Sequence, residues 1–561
     1  MSTATQTVNN LRTAIIDAMG RAIAQEQFPA VPVPDFSIEI PSDHSHGDLA
    51  TNTAMVSARA FKMPPRKIAE ILTQNLELSG TNLSRFEIAG PGFINFFYDN
   101  SFYSSVLKEI KEQGENYGHS DFGKGKKILV EFVSANPTGP MHVGNARGGA
   151  IGDSLASVLD AAGYEVSREF YVNDAGNQIE KFATSLEIRY MQLFEDGWEL
   201  PEDSYHGQDI VDHAKNFAEV NGDKYVKATS EERRKALVDF ALPKNIEGLE
   251  RDLLKYRIKY DRWFRESTLH KDGSVQRVVE MLKEKGHTYE QDGALWFKAT
   301  EFGADKDFVL VRSNGIPTYV VPDIAYHYDK LVTRGYDKAI DVLGADHHGY
   351  IPRLKAALTA LGVDASRLDA VLMQMVRLVR NGETIKFSKR SGKAITLVTL
   401  LDEIPIDAAR FFFNLREANS HFDFDLDLAI EKSSQNPVYY VQYAHARICN
   451  ILKGLEESGI TPRDCTDENY ALLTAPEEIE LINKLAAYPD EIVAAAKDYD
   501  PSRITRYVYD VATLFHKFYN ACRVKNDNEQ LMQARLSLCL ATRTVIKNVL
   551  SMFKITAPEA M

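Results

Sequence analysis

Three textures of apolar and polar residues follow one another along the chain. Up to about residue 120 the spacing is mixed. GDLATNTAMVSARAF and PPRKIAEILTQNL carry apolar residues at helical intervals, and two strand-like runs, RFEIAG and GFINFFYDN, flank a tight turn at Gly90-Pro91-Gly92. A small α/β module over residues 1–120 is predicted, with no catalytic constellation in it. From about residue 124 the pattern changes: KKILVEFVSAN is a continuous apolar run, as a strand buried on both faces requires. The loop PTGPMHVGN follows, then the helical ARGGAIGDSLASVLDAAG closed by Gly163, then the strand-like EVSREFYVND. Strand, glycine-bearing loop, helix and strand in that order predict a nucleotide-binding βαβ unit. The texture returns over residues 338–378 in KAIDVLGADH, LKAALTALG and DAVLMQMVRL. Between the halves, residues 180–300 are largely charged helix and read as an insertion. After about residue 400 strand signals vanish, and three long segments keep 3.6-residue spacing. In one of them Ile504, Tyr507, Val508, Val511, Leu514, Phe515 and Phe518 form a single stripe, the core of a predicted helical bundle.

Composition narrows the class. A chain of 561 residues is too long for one core, and 44% hydrophobic with 26% charged residues is ordinary for a globular protein. No window approaches the roughly 18 apolar residues of a membrane helix. The first residues lack a charged leader with an apolar stretch, Asp17 and Glu26 interrupting them, so a signal peptide is not expected. Cys449, Cys465, Cys522 and Cys539 form no Cys-x-x-Cys pair, which speaks against structural zinc and for reduced thiols. Net charge is −14, yet from Ser502 onward nine basic residues face four acidic ones, giving 9 − 4 = +5. That basic end suits a polyanion held at one edge, or a solvated helix face.

Two segments carry candidate chemistry. His142-Val143-Gly144-Asn145 opens a helix after a strand, where unpaired backbone N–H groups and the helix dipole favour a phosphate. Gly144 leaves room for a base or ribose, and His142 can donate to a phosphate oxygen; a structural histidine is the other reading. The second lies 247 residues on, counted from His142 to Lys389: Lys386-Phe387-Ser388-Lys389-Arg390-Ser391-Gly392-Lys393. Four cations with Gly and Ser suit the phosphates of ATP, or form a solvated basic loop. No G-x-x-x-x-G-K-[ST] string occurs, so this is not a Walker loop.

In this order the two segments resemble the HIGH and KMSKS signatures of the class I aminoacyl-tRNA synthetases. VEFVSANPTGPMHVGNARGGAIGDSLASVLDAAG, YVNDAGNQI, TYVVPDIAYH, VLGADHHGY, KFSKRSGKAITL and NPVYYVQYAHAR resemble the arginyl members of that family, over nearly the whole chain. The resemblance implies an α/β multidomain enzyme: an N-terminal additional domain that binds tRNA (1–120), a Rossmann-type parallel-sheet catalytic domain (121–400) with its insertion, and a helical anticodon-binding domain (401–561). It implies ATP-dependent attachment of L-arginine to tRNA(Arg) through an adenylate, with Mg2+ accompanying ATP and no protein-bound structural metal. It places His142 and Lys389 in catalysis, and Gly144, Asn145, Lys386 and Ser388 beside them on ATP. Arginine would meet Glu131, Ser134, Asn136, Asn145, Tyr319, Asp323 and His347, although Asp323 also reads as the N-cap of the helix IAYHYDKLV. Arg503 and Arg506 are the expected tRNA contacts on the bundle.

The departures from the signatures are Asn145, Phe387 and Arg390; Lys389 is kept. A cytoplasmic monomer is expected, with no DNA or membrane partner. No general base for the transfer step stands out. A cysteine-charging relative would need a thiolate zinc site, and the first 448 residues contain no cysteine. A catalytically dead RNA-binding paralogue would not need His142, Gly144 and Lys389, and a small nucleotidyltransferase would not need the basic bundle.

Overall fold

The computed structural model describes residues 2–41, 43–385 and 395–561. Its central sheet has five parallel strands: β1 (Lys127–Phe132), β2 (Glu165–Val172), β3 (Arg262–Arg265), β4 (Lys338–Gly344) and β5 (Leu368–Met373). Their order across the sheet is β5-β4-β1-β2-β3, every pair parallel. Helix α1 (Val143–Ala161) joins β1 to β2, α2 (Val320–Tyr328) precedes β4, and α3 (Ile351–Ala360) joins β4 to β5. β1 is apolar on both faces because both are covered: Ile128, Leu129, Val130 and Phe132 are all buried. The short side chains of α1 follow from its position, buried on most sides. A Cβ on Gly152 would lie 2.2 Å from Cγ of Phe132, so only glycine lets α1 sit this close to β1.

The predicted βαβ unit and its repeat are both present, and the resemblance's Rossmann-type sheet is the one observed. Six short strands differ from the reading by periodicity. β3 lies inside the stretch read as a helical insertion, and Thr288–Gln291, Ala294–Phe297 and Phe308–Val311 form a separate antiparallel sheet at its end. Leu49–Thr51 is a strand of the N-terminal four-stranded sheet, the helix beginning only at Thr53. Beyond residue 400, Phe422–Asp425 pairs in parallel with Val376–Arg380. Each of these strands has three or four residues, too few to show a period; tertiary pairing makes them strands.

Beyond residue 400 the chain is mainly helical as expected, with α4 (Ile406–Phe413), α5 (Pro437–Glu457), α6 (Ser502–Ala521) and α7 (Glu529–Met552). The stripe on α6 is core, Leu514 alone of the seven being only partly buried. A buried ionic node ties this segment to the central sheet. Asp153 on α1 and Arg410 on α4 are both fully buried and paired at 2.5 Å. Arg410 also donates to the carbonyls of Tyr256 and Phe553, and Lys554 and Arg168 reach the other Asp153 oxygen at 2.7 and 3.3 Å. Burial alone would raise the Asp153 pKa, but Arg410, Lys554 and Arg168 together hold it below the usual carboxylate value.

Asp153→Ala would leave Arg410 and Lys554 without a carboxylate, Arg168 keeping Asp160 at 3.0 Å, and is expected to destabilise the protein by about 3–5 kcal/mol. Thermal unfolding checks this, and an unchanged Tm would reduce the node to packing. Because the folded pKa is depressed, this stabilisation is complete above the ordinary carboxylate range and is lost as pH falls through the lowered value.

Candidate active site

From β1 the chain moves outward through β2 and β3, then returns to place β4 on the other side of β1. The crossovers on either side of that reversal leave opposite ways, which opens a crevice at the carboxyl ends of β1 and β4. A cavity of about 480 Å³ lies there, lined among others by Glu131, Asp323, His327, Asp341 and Tyr350.

The floor of the cavity is ionic. Glu131 and Asp341 stand opposite each other in register on β1 and β4, and both are buried. Two like charges so placed need a cation between them. Lys330, with no exposed surface, supplies it: Nζ donates to Glu131 Oε2 at 2.5 Å and to Asp341 Oδ1 at 2.9 Å. His327 Nε2 lies 2.7 Å from Asp341 Oδ2, while its Nδ1 meets the Asp323 carbonyl at 2.8 Å. Burial opposes the Lys330 charge, but Asp341 and Glu131 outweigh it and its pKa is raised. Burial likewise works against the Asp341 carboxylate, yet Lys330 and His327 hold its pKa far below the usual value. Ser134 Oγ donates to Glu131 Oε1 at 2.8 Å and accepts from the Tyr171 N–H at 3.2 Å. Just past β1 the backbone is strained: Val133 and Ser134 have φ of 69° and 41°, unusual for side chains with a Cβ. Asn136, two residues on, is exposed.

One wall comes from α2. Its N-cap is Tyr319, 70% exposed, and Asp323 lies inside the first turn, so the cap reading of Asp323 does not hold. The Asp323 carboxylate accepts the Tyr350 hydroxyl, and the rings of Tyr350 and Tyr319 stack at 6.1 Å. Burial pushes the Asp323 pKa up to about 6, against the lowering effect of the Tyr350 bond and of His327. His347 is exposed at the cavity rim.

The structure joins the two signature segments at their bases. His142 is the N-cap of α1, and its N–H donates to Asn145 Oδ1 at 3.1 Å, so that amide oxygen serves the helix end. Around Gly144 a Cβ would meet nothing within 4 Å, which is open space beside the helix N-terminus. Val143 N–H donates to the Ile395 carbonyl at 3.1 Å, and Leu397 N–H to the Met141 carbonyl at 2.9 Å. His142 and Thr396 thus form an antiparallel bridge. Lys386, Ser388 and Lys389 lie outside the described residues.

Lys330, His327, Asp341 and Tyr350 had not been singled out from the sequence. Asp323, His327 and Lys330 recur at i, i+4 and i+7 and so share one helical face, and that signal was available. On the bundle, Arg503 is paired with Glu491, and Arg506 with Asp500 at 3.1 Å and Ser502 Oγ at 2.7 Å. Elsewhere on the bundle the rings of Tyr439 and Tyr443 are parallel at 6.4 Å, and Arg447 lies 4.1 Å from the Tyr519 ring.

A parallel sheet in this order, with a helix N-terminus at its reversal and the chain just past the second signature string bridged to it, has the architecture of a class I aminoacyl-tRNA synthetase. Residues 106–451 match the family "tRNA synthetases class I (R), catalytic domain", residues 441–561 the "DALR anticodon binding domain", and residues 9–98 the "Arginyl tRNA synthetase N terminal domain". The arginine–tRNA ligases of Caldanaerobacter subterraneus and Acetivibrio thermocellus are 57% and 54% identical, each comparison covering 98% of both chains. The chain belongs to the arginyl-tRNA synthetases. Among solved structures, a putative arginyl-tRNA synthetase from Campylobacter jejuni matches 82% of this chain and all of that one at 34% identity, TM-score 0.73. The Thermus thermophilus enzyme shares the fold over 98% of this chain and all of that one, with TM-score 0.74 at 22% identity.

In the free protein the Asp323 carboxyl is expected to titrate near pH 6. Tyr350→Phe removes a donor to the carboxylate and should move that titration higher. Infrared difference titration with Asp323→Asn as the blank checks both, and a midpoint near the ordinary ~4 would contradict the desolvated site.

Proposed function

We propose that the cavity between β1 and β4 is the arginine pocket and that the α1 N-terminus holds ATP. As an arginyl-tRNA synthetase the chain joins L-arginine to its cognate tRNA through arginyl-adenylate, consuming ATP and releasing AMP and diphosphate. The observation that carries the pocket assignment is a set of carboxylates converging on one cavity at the sheet's reversal. A guanidinium is a planar fork of donors that two carboxylate oxygens can match in parallel. In this reading Asp323 takes the guanidinium, with Tyr319 over it, and Glu131 takes the α-ammonium. Ser134, Asn136, Asn145 and His347 complete the polar contacts.

The substrate carboxylate then attacks the α-phosphorus in line, and pyrophosphate leaves. His142, with the α1 dipole and the open space at Gly144, stabilises the phosphoryl oxygens from one side. Lys389, with Lys386 and Ser388, would share that task, and Mg2+ accompanying ATP would supply further positive charge for the pyrophosphate. The bridge between His142 and Thr396 supports this arrangement, since it holds the roots of both segments together. A hydroxyl of the tRNA's terminal adenosine, the 2′-OH on the class I analogy, then takes the arginyl group.

The tRNA lies along residues 401–561 with help from residues 1–120, and residues 121–400 perform the chemistry. Arg503 and Arg506 would have to exchange their carboxylate partners for phosphates; the tyrosine rings and Arg447 offer a stacking surface that needs no such exchange. The nucleotide site and the bundle are on one chain, so a monomer suffices, and the cytoplasm is where its substrates meet. No helix among the described residues is long and apolar enough to cross a membrane.

Charging unfractionated tRNA with each amino acid in turn tests the reading. Arginine alone is expected to be transferred, and transfer of another amino acid instead would overturn it. His142→Ala and Lys389→Ala should each slow activation by roughly 100-fold, the effect of losing one preorganised transition-state contact. The loss should fall on kcat more than on KM, and wild-type turnover would remove the residue from the mechanism. Asp323→Asn is expected to raise the KM for arginine by about 100-fold or more while ATP binding is kept. In the unaltered enzyme arginine affinity should weaken as pH falls through about 6, because the raised pKa lets Asp323 take a proton there. Arginine kinetics flat across that range would place the guanidinium elsewhere.

A further inference from the structure

We propose that Lys330 is a positioning residue for the amino-acid substrate, its buried ammonium bracing Glu131 and Asp341 from behind so that their remaining lone pairs face the cavity. This rests on the reading of that cavity as the arginine pocket. Lys330 does not line the cavity and has no exposed surface, yet it touches two side chains that do line it. Each of those carboxylates is fixed through both oxygens: Glu131 by Lys330 and Ser134, Asp341 by Lys330 and His327. Ser134, Glu131, Lys330, Asp341 and His327 thus form one continuous chain that ends on the Asp323 carbonyl.

Glu131, His327 and Asp341 bring ligand atoms within 4.8 Å of one another, a set able to hold a metal ion. Nζ of Lys330 occupies that position instead, 2.5, 2.9 and 3.4 Å from the three groups. A tethered ammonium gives a single permanent charge, and the charge count then fits the substrate. Glu131, Asp341 and Asp323 with Lys330 leave −3 + 1 = −2 at the cavity, opposite the guanidinium and α-ammonium of arginine. Other charged groups facing this cluster are matched locally. Glu169 on β2 accepts two bonds from Arg334 and one from Tyr326, whose ring lies 4.1 Å from Nζ. Glu266 is bonded to Tyr171 and lies 3.3 Å from His270. Lys330 sits in a wide turn, Asp329–Thr333, where the Arg334 N–H reaches five residues back to the Asp329 carbonyl. Turns of that width are rare and recur at functional sites.

Charging kinetics with arginine test the proposal in wild type, Lys330→Met and Lys330→Ala. Lys330→Met is expected to raise the arginine KM by about 100-fold, more than it lowers kcat, because Glu131 and Asp341 then share a proton. Raising the pH removes that proton, so the variant's KM should go on falling as pH rises above about 6, where the wild type's, with Asp323 already ionised, levels off. In Lys330→Ala, added propylammonium should restore part of the affinity, which a purely structural lysine would not allow. An arginine KM like wild type in either variant overturns the proposal. So does loss of folding in both variants, which would make Lys330 a residue of the core. Wild type that charges no arginine would defeat the pocket reading itself, a different outcome from either.

Discussion

A parallel sheet that grows from its first strand in one direction and then in the other cannot cover the point where it turns back. In this protein that point lies between β1 and β4, and the functional geometry follows from it. The crevice is open because the helices leaving β1 and β4 diverge, and the N-terminus of α1 is aimed at it because a right-handed crossover permits nothing else. Gly152 lets α1 lie against Phe132, which sets how deep the phosphate-type helix end sits.

The same reversal puts Glu131 and Asp341 side by side, and the chain meets the resulting repulsion with a buried lysine. A second buried node, Asp153 with Arg410, Lys554 and Arg168, sits toward the other end of α1. One helix therefore has the proposed nucleotide site at its start and the contact with the C-terminal helical segment along its body. Buried ion pairs add little net stability, but breaking one is costly, so both nodes fix geometry more than they add to the folding free energy. Asp323 differs from these carboxylates: its strongest partner is a neutral hydroxyl, and that leaves its charge to be satisfied by a ligand.

Much of this was legible in the residues. Continuous apolar runs gave β1 and β4, helical spacing gave the bundle, and two short signature strings pointed to the family. Glu131 and Asp323 could be named because they stand in strings that resemble a family's. Lys330 could not, although its stripe with Asp323 and His327 was visible. A polar stripe on a helix means solvent or a site depending on what covers it, and one chain's periodicity does not say which.

The sequence by itself determined the periods, and through them which segments are helices or long strands and in what order they come. Tertiary structure alone decided the rest. Arg262–Arg265, Leu49–Thr51 and Phe422–Asp425 are strands only because a neighbour offers them a ladder. Glu131 and Asp341, 210 residues apart, share one cation, and His142 and Thr396, 254 residues apart, share one bridge. Local propensity acts over a few residues, whereas charge pairing and strand register act through space, so they exist only once the sheet has closed.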